Sequence, residues 1–325
     1  MKALAADLAA VARRMRGERR VALAVHERPD ADALGAAAGM ADLFAQLGVE
    51  ATLHIVDEPE LPAADVALGG VPVATQVPPA GTPLYALDSG SVPRLALGVE
   101  SWDGPVVNID HHQDNTRFGE LVLLRPAASS TAEVVCDLAR ALELAPRPAA
   151  AAALYAGISF DSGHFRHSST SAHTLSTAAW LVSLGADPTA IYTALYERRP
   201  LGGLRLWARA VAGAREVAGG RALVAVLTLA DVAAAGAAEG DTEGVVESLR
   251  AVDGVEAAAL VKEQSSGSRC RVSLRSSGLD VSAVAAARGG GGHRQAAGFS
   301  ADDSPEEVTA WLSSELARRL KTASS

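Results

Sequence analysis

Short apolar runs that end on a carboxylate or an imidazole recur along this chain and constrain its fold more than any other feature. Val106-Val107-Asn108-Ile109 runs into Asp110-His111-His112. Val21-Ala22-Leu23-Ala24-Val25 runs into His26-Glu27-Arg28-Pro29-Asp30-Ala31-Asp32, and Leu84-Tyr85-Ala86-Leu87 ends on Asp88. Such runs read as buried strands. Ionisable groups at their ends are costly unless something binds there. In an open parallel sheet, ligands collect outside the carboxyl ends of the strands, so residues far apart in sequence can converge on one crevice. Two more fragments are of the same chemical kind. Asp161 sits in Ser159-Phe160-Asp161-Ser162-Gly163 after an Ala-rich segment, and Gly289-Gly290-Gly291-Gly292-His293 lies near the C-terminal end.

The pattern predicts an α/β protein whose first domain, residues 1–185, is a doubly wound parallel sheet. With 325 residues, 49% of them hydrophobic, a sizeable core and two domains are expected. Aromatics make up only 4% of the chain, so packing must rest on small and aliphatic side chains in closely spaced helices. Leu34, Ala38, Ala41, Ala45 and Gly48 share one helical face after the first strand. Ser130-Thr131-Ala132-Glu133 reads as a capping box that opens a helix through Leu142. Residues 71–83 are rich in proline and glycine and read as a loop. Residues 186–212 look helical with a break near Pro200-Leu201-Gly202-Gly203 and are taken as a connector. A smaller α+β domain with an interrupted sheet follows at 213–325. Its strands are expected at 222–229, 255–262 and 269–275, with a helix at 242–252 and another after the glycine run.

A formal net charge of −9 argues against a broad basic surface that grips long nucleic acid, but not against a short nucleotide. Cys136 falls in an amphipathic helical pattern and Cys270 in an alternating strand pattern, so both read as buried free thiols. No disulfide framework is implied, which suits a reducing cytoplasm. Asp7 interrupts the first apolar stretch and Arg13-Arg14-Met15-Arg16 follows, so no signal peptide is expected. No apolar run is long enough to span a bilayer.

Carboxylate and neutral imidazole are good ligands for divalent transition ions. A two-ion site needs a shared ligand and a water between the ions. His26, Asp30 and Asp32 come from one tight loop stiffened by Pro29. In an extended segment Asp30 and Asp32 point the same way, and could serve one ion each or the same ion. Asp88, from another strand, could bridge, and His111 and Asp161 could complete the second ion. Asp30, Asp32 or Asp161 taken alone could be an ordinary N-cap. The joint pattern resists that reading, because gathered carboxylates without a cation repel one another. His54 has no partner pattern and is read as structural, while His164, His167 and His173 lack ligand-like neighbours and are not taken as ligands.

These motifs resemble those of the DHH phosphoesterase superfamily, and within it the DHH–DHHA1 subfamily of oligoribonucleases and pAp phosphatases. The resemblance rests on His26-x-x-Pro29-Asp30-x-Asp32, Asp88, Asp110-His111-His112, Asp161-Ser162-Gly163-His164-Phe165-Arg166 and Gly289-Gly290-Gly291-Gly292-His293-x-x-Ala296-Ala297-Gly298. It implies an N-terminal DHH domain, a C-terminal DHHA1 domain and an active site in the cleft between them. It implies two Mn²⁺ ions, with Co²⁺ or another divalent ion as alternatives. His26, Asp30 and Asp88 would hold the first. Asp32, Asp88, His111 and Asp161 would hold the second. His112 would face the scissile phosphate with Asp110 orienting a histidine ring. One departure is Ala36 after Gly35, where many relatives carry serine.

Consecutive glycines allow close backbone approach, so Gly290, Gly291 and Gly292 with His293 are candidates for an anion nest. Arg269, Arg271, Ser273 and Arg275 alternate onto one strand face. The resemblance implies that Arg275 and His293 hold a terminal phosphate or sugar, and Arg166 is a further candidate phosphate contact. The expected activity is hydrolysis of short RNA oligonucleotides and of 3′-phosphoadenosine 5′-phosphate (pAp), with linear or cyclic di-adenylate as further substrates. The expected setting is cytoplasmic, without a membrane, and the resemblance admits a homodimer. The rivals are an inorganic pyrophosphatase or exopolyphosphatase of the same superfamily, a single-strand DNA exonuclease, and a non-catalytic nucleotide sensor.

Overall fold

The apolar runs become the strands of a parallel sheet. In the computed structural model, residues 2–55, 64–95, 102–197, 200–242 and 244–322 are described. The chain divides into two units, residues 1–198 and 199–325.

In the first unit the strands are β1 (Arg20–Ala24), β2 (Glu50–His54), β3 (Val73–Ala74), β4 (Leu84–Leu87), β5 (Val106–Asp110) and β6 (Leu121–Leu124). Their order is β3-β2-β1-β4-β5-β6, and every adjacent pair is parallel. The direction of winding reverses between β1 and β4, which opens a crevice at their carboxyl ends. The segment expected to be a loop, 71–83, contributes the short edge strand β3.

The helices are α1 (Lys2–Arg16), α2 (Ala31–Gln46), α3 (Ala64–Leu68), α4 (Thr131–Ala141), α5 (Pro148–Asp161), α6 (Ala172–Ser183) and α7 (Pro188–Tyr196). Strand alternation sorts the core. Val21 and Leu23 of β1, with Tyr85, Leu87, Val107 and Ile109, pack among residues of α2, α4 and α5. Ala22, Ala24, Leu84 and Ala86 face the other way, against Leu95, Val92, Trp102 and Phe118. The alanine-rich composition serves the helix contacts. A Cβ on Gly35 of α2 would lie 2.3 Å from the Ala153 carbonyl oxygen of α5, so the two backbones nearly touch. That closeness brings the first turn of α2 against α5.

In the second unit the strands are β7 (Arg215–Val217), β8 (Ala222–Leu227), β9 (Ala257–Glu263), β10 (Cys270–Ser276), β11 (Gly291–His293) and β12 (Ala296–Ala301). They form one continuous sheet, β11-β12-β10-β9-β8-β7, rather than the interrupted sheet expected. Only β8 and β9 run parallel among the described pairs. Helices α8 (Leu201–Ala212), α9 (Leu229–Ala235) and α10 (Val245–Arg250) go with one face, where Leu206, Ala210, Val245 and Leu249 pack on Ala225, Leu227, Ala258 and Leu260. Helices α11 (Ser282–Ala286) and α12 (Pro305–Thr322) cover the other. There Val308, Leu312, Leu316 and Leu320 pack on Val224, Val261, Val272 and Leu274.

Helix α9 was hidden in the sequence by the apolar run before it. The strand expected at 222–229 stops at Leu227, because Thr228 and Asp231 form a reciprocal capping box. The helix expected at 242–252 is shorter, Val245–Arg250. The residues read as a connector divide: α7 packs in the first unit and α8 in the second. Cys136 and Cys270 are buried free thiols, as expected. Among the described residues, no helix is long and apolar enough to cross a membrane.

Candidate metal centre

The crevice at the carboxyl ends of β1, β4 and β5 gathers the strand-end residues. His26 lies just past β1. Its Nδ1 is 2.8 Å from the Glu27 carbonyl oxygen, and its Nε2 faces Asp88 Oδ2 at 3.6 Å and Asp30 Oδ2 at 3.9 Å. Asp30 is both cap and candidate ligand. Its Oδ1 accepts from the Asp32 and Ala33 N–H groups at 2.9 and 3.0 Å and starts α2, while Oδ2 is the oxygen toward His26. The segment Asp30 to Asp32 is therefore not extended. Helix α2 begins at Ala31, and the two carboxylates join different groups of candidate ligands.

Asp32 is fully buried and reaches across to α4, where Oδ2 accepts from Thr131 N–H at 2.7 Å and Oδ1 from Ala132 N–H at 2.9 Å. A Cβ on Gly157 of α5 would fall 2.9 Å from Asp32 Oδ1, so glycine leaves the room this carboxylate needs. Asp88 follows β4 with φ +53°, a left-handed conformation that is strained for a residue with a Cβ. Its Oδ1 accepts from Thr131 Oγ1 at 2.8 Å and lies 3.7 Å from His111 Nε2 and 3.6 Å from His112 Nδ1. Asp161 closes α5, so this carboxylate arrives from a helix end, and its Oδ2 is 3.0 Å from His111 Nε2.

Three groups of potential ligand atoms result: His26, Asp30 and Asp88; Asp32, His111 and Asp161; Asp88, His111 and His112. Asp88 belongs to two of them, with different oxygens turned to His26 and to His111. His111 tests whether a cation fits. Its Nδ1 lies 3.3 Å from the Ala128 carbonyl oxygen, a group that only accepts, so Nδ1 carries a proton. Its buried Nε2 lies 3.0 Å from Asp161 Oδ2 and 3.7 Å from Asp88 Oδ1, with no well-formed hydrogen bond to either. An imidazole nitrogen directed at the carboxylates of Asp88 and Asp161, which a cation could occupy once its proton leaves, is a donor arrangement that suits a divalent ion.

The electrostatics point the same way. Burial first, then Asp88 and Asp161, push the Asp30 carboxyl up to about 6. Its side chain keeps 32% of its surface exposed, so solvent weakens that push. Burial and the same neighbours raise Asp32 well above the usual carboxylate range. Burial opposes ionisation of Asp88 as well, but its interactions with His26, His111 and His112 hold it below that range. Burial disfavours charged His26, yet Asp88 and Asp30 carry it up to about 9. His111 is raised to about 10 against the same burial penalty, by Asp161, Asp88 and Asp32. Without a cation, charge balance at this site falls to protons on the histidines and on the raised carboxyls of Asp30 and Asp32.

His112 is set apart by its partner. Its Nδ1 lies 2.8 Å from Asp110 Oδ1, which also accepts from the His111 and His112 N–H groups at 2.8 and 3.2 Å. Asn115 donates to Asp110 Oδ2 at 2.5 Å and to Asn108 Oδ1 at 2.8 Å, and Asn108 donates to the Ser89 carbonyl at 3.1 Å. Burial would lower His112, but Asp110 and then Asp88 raise it. Asn115, Thr131 and Gly157 carry no motif of their own in the sequence, where each has an ordinary local reading.

The histidines set aside in the sequence lie elsewhere. His164 meets Ser159 Oγ at 3.1 Å and packs on Tyr196, His173 Nε2 is 2.8 Å from Asp137, and His54 Nδ1 is 2.6 Å from the Gln76 carbonyl. Arg166 donates to the Gly163 carbonyl oxygen at 2.7 Å in an exposed turn.

In the second unit, Arg275 Nε is 2.9 Å from Glu247 Oε1 and its Nη1 is 3.0 Å from the Leu274 carbonyl oxygen. The glycine run is only partly a loop. Gly291, Gly292 and His293 form β11, paired with Gly298, Ala297 and Ala296 of β12. A Cβ on Gly290 would lie 2.2 Å from the Gly298 carbonyl oxygen, and one on Gly292 would lie 2.6 Å from Ala296 O. These two glycines are thus required by the chain's own backbone, whatever else the segment does.

Comparison with known proteins adds independent observations. A family model described as "DHH family, N-terminal domain" matches residues 20–158, and the DHHA1 domain model matches residues 219–322. A bifunctional oligoribonuclease and PAP phosphatase of Thermus thermophilus is 32% identical over 306 residues, covering 91% of this chain and 90% of that one. A protein of the same name from Bacillus subtilis is 26% identical over 281 residues, covering 85% and 87%. A crystal structure of an exopolyphosphatase-related protein from Bacteroides fragilis superposes with a TM-score of 0.84 at 20% identity, covering 97% of this chain and 98% of that one. That last likeness speaks to fold alone.

Proposed function

The chain belongs to the DHH family, with a DHHA1 domain, and from that premise we propose a two-metal phosphohydrolase that degrades short RNA oligonucleotides and dephosphorylates pAp to AMP. Hydrolysis of phosphate esters follows from the family and from relatives that span nearly the whole chain. The observation that carries the finer reading is Asp88 itself, which groups with His26 and Asp30 on one side and with His111 on the other, where His111 also groups with Asp32 and Asp161.

In this reading His26, Asp30 and Asp88 would hold one ion, and Asp32, Asp88, His111 and Asp161 would hold the other, with manganese as the proposed metal. Bound there, divalent ions lower the pKa of a water and polarise phosphoryl oxygens. The chain's own residues do the rest. Asp110 fixes the Nδ1 side of His112 and favours its protonated form, so Nε2 is the nitrogen that would donate to the leaving oxygen. Asn115 and Asn108 hold Asp110 in turn. Arg275, His293 and the glycine strand of the second unit would hold a second phosphate or a sugar of a short substrate. Arg166 would be an additional phosphate contact. Linear or cyclic di-adenylate falls within the same chemistry.

The test is a profile of released phosphate and nucleotide products from pAp, pApA, cyclic di-AMP, longer RNA and pyrophosphate, with Mn²⁺ added. Turnover of pAp and of short RNA to mononucleotides is expected. Cleavage of pyrophosphate alone would overturn the nucleotide reading, and tight nucleotide binding without turnover would make the protein a sensor.

A further inference from the structure

Ser130-Thr131-Ala132-Glu133 looks like a device for starting a helix, but only half of the expected capping box forms. Ser130 Oγ accepts from Glu133 N–H at 3.1 Å. The Glu133 carboxylate does not return to Ser130. Its Oε2 instead takes Ser129 Oγ at 2.6 Å and Thr174 Oγ1 at 2.7 Å, buried between the start of α4 and the start of α6. The turn fixed in this way touches three candidate metal ligands at once. The Ala128 carbonyl oxygen meets His111 Nδ1 at 3.3 Å, the Thr131 and Ala132 N–H groups hold both oxygens of Asp32, and Thr131 Oγ1 donates to Asp88 Oδ1 at 2.8 Å.

We propose that Thr131 is a positioning residue for the metal centre, its hydroxyl setting the rotation of the Asp88 carboxylate so that each oxygen serves one ligand group. The inference rests on the two-metal reading above. The terminal torsion of an aspartate is broad and roughly two-fold, so packing alone selects its rotation weakly. Asp88 has imidazoles on both sides, with His26 toward Oδ2 and His111 and His112 toward Oδ1. A donor fixed to Oδ1 defines one arrangement. Thr131 can be that donor because its backbone is anchored twice: its N–H is tied to Asp32, and Glu133, through Ser129, ties down the preceding residues. A β-branched side chain at the first helical position is also stiff at χ1, which restricts the direction of the hydroxyl.

Thr131→Val keeps the shape and deletes the hydroxyl, Thr131→Ser keeps the hydroxyl and deletes the methyl, and Thr131→Ala is the second deletion should valine not fold. The primary readout is the dissociation constant for Mn²⁺ by calorimetric titration of chelator-treated protein, with melting of the ion-free protein and kcat at saturating Mn²⁺ beside it. Loss of an outer partner of a metal ligand costs about 10–100-fold in affinity. That loss is expected for Thr131→Val and Thr131→Ala, with Thr131→Ser near wild type and the ion-free melting temperatures of Thr131→Val and Thr131→Ser close together. Equal ion affinity for Thr131→Val and wild type, or equal weakening by Val and Ser, would overturn the positioning role. Failure of the wild type itself to bind a divalent ion would instead overturn the two-metal reading beneath it.

Discussion

Replacing Asp88 by asparagine removes one charge from the centre of the site and little else. The side chain keeps its size, and the amide oxygen can still accept from Thr131 Oγ1, which lies 2.8 Å from Oδ1. What disappears is the anion that lies 3.6 Å from His26 Nε2, 3.7 Å from His111 Nε2 and 3.6 Å from His112 Nδ1. A unit charge about 4 Å from a divalent ion at an effective dielectric near 20 is worth roughly 8 kcal/mol before desolvation. Desolvation returns most of that. A quarter of it, about 2 kcal/mol, still weakens each ion about 30-fold, and Asp88 serves both. In the ion-free protein the substitution cuts both ways. Three imidazoles lose a counter-charge, while Asp30 and Asp32 lose a neighbour that pushes them up. The melting temperature without ion should therefore move little. Elemental analysis after dialysis against dilute Mn²⁺, circular dichroism and pAp turnover form the assay. The expected result is a folded protein with reduced metal and no measurable turnover. Unchanged metal content with full activity would refute the assignment of Asp88 as the shared ligand.

Further expectations concern protons, the second unit and substrate length. In the ion-free protein His26 and His111 are raised to about 9 and about 10, above an unfolded value near ~6.5. Their contribution to stability is then complete below about pH 6.5 and lost as pH rises toward 10. Melts in chelator at several pH values should fall across that window, while Mn²⁺ affinity should rise over it, because binding displaces those protons. Calorimetry in buffers of different ionisation enthalpy would detect no proton release if the histidines were not ligands. Arg275→Ala and His293→Ala should each weaken nucleotide hydrolysis by about 10–100-fold, the worth of a charged hydrogen bond to phosphate, without loss of metal. A small diester such as bis-p-nitrophenyl phosphate should be spared, and equal loss on both substrates would argue against a separate phosphate holder. A net charge of −9 leaves few groups to track a long strand, so rates should favour very short RNA and KM should depend weakly on salt. A log–log salt slope far steeper than about −2, at roughly −0.7 per phosphate contact, would point instead to a strand-binding groove.

The sequence by itself determined where the candidate ligands come from. Buried apolar strands that end on His26, Asp88 and Asp110-His111-His112 conflict with local economy, and such a conflict is legible without a structure because it depends only on neighbours in the chain. The same alternation predicted a doubly wound parallel sheet, but the order of its strands, and so the reversal between β1 and β4, came from the tertiary structure. Tertiary structure decided how each side chain divides its atoms. Asp30 is at once a cap and a candidate ligand, and the sequence posed these as alternatives because it cannot show that Oδ1 and Oδ2 have different partners. Thr131, Asn115 and Gly157 were illegible for a related reason. A threonine at a helix start, an asparagine in a loop and a glycine in an alanine-rich helix each have an adequate local explanation. Thr131 meets Asp88 across 43 residues of sequence, and Ala132 meets Asp32 across 100. The glycine run shows the converse. Its local permissiveness was visible, but only the pairing of β11 with β12 shows that Gly290 and Gly292 make room for the chain's own backbone. Sequence records what a residue can do locally, whereas the partner that fixes its role is chosen by packing between segments far apart in the chain.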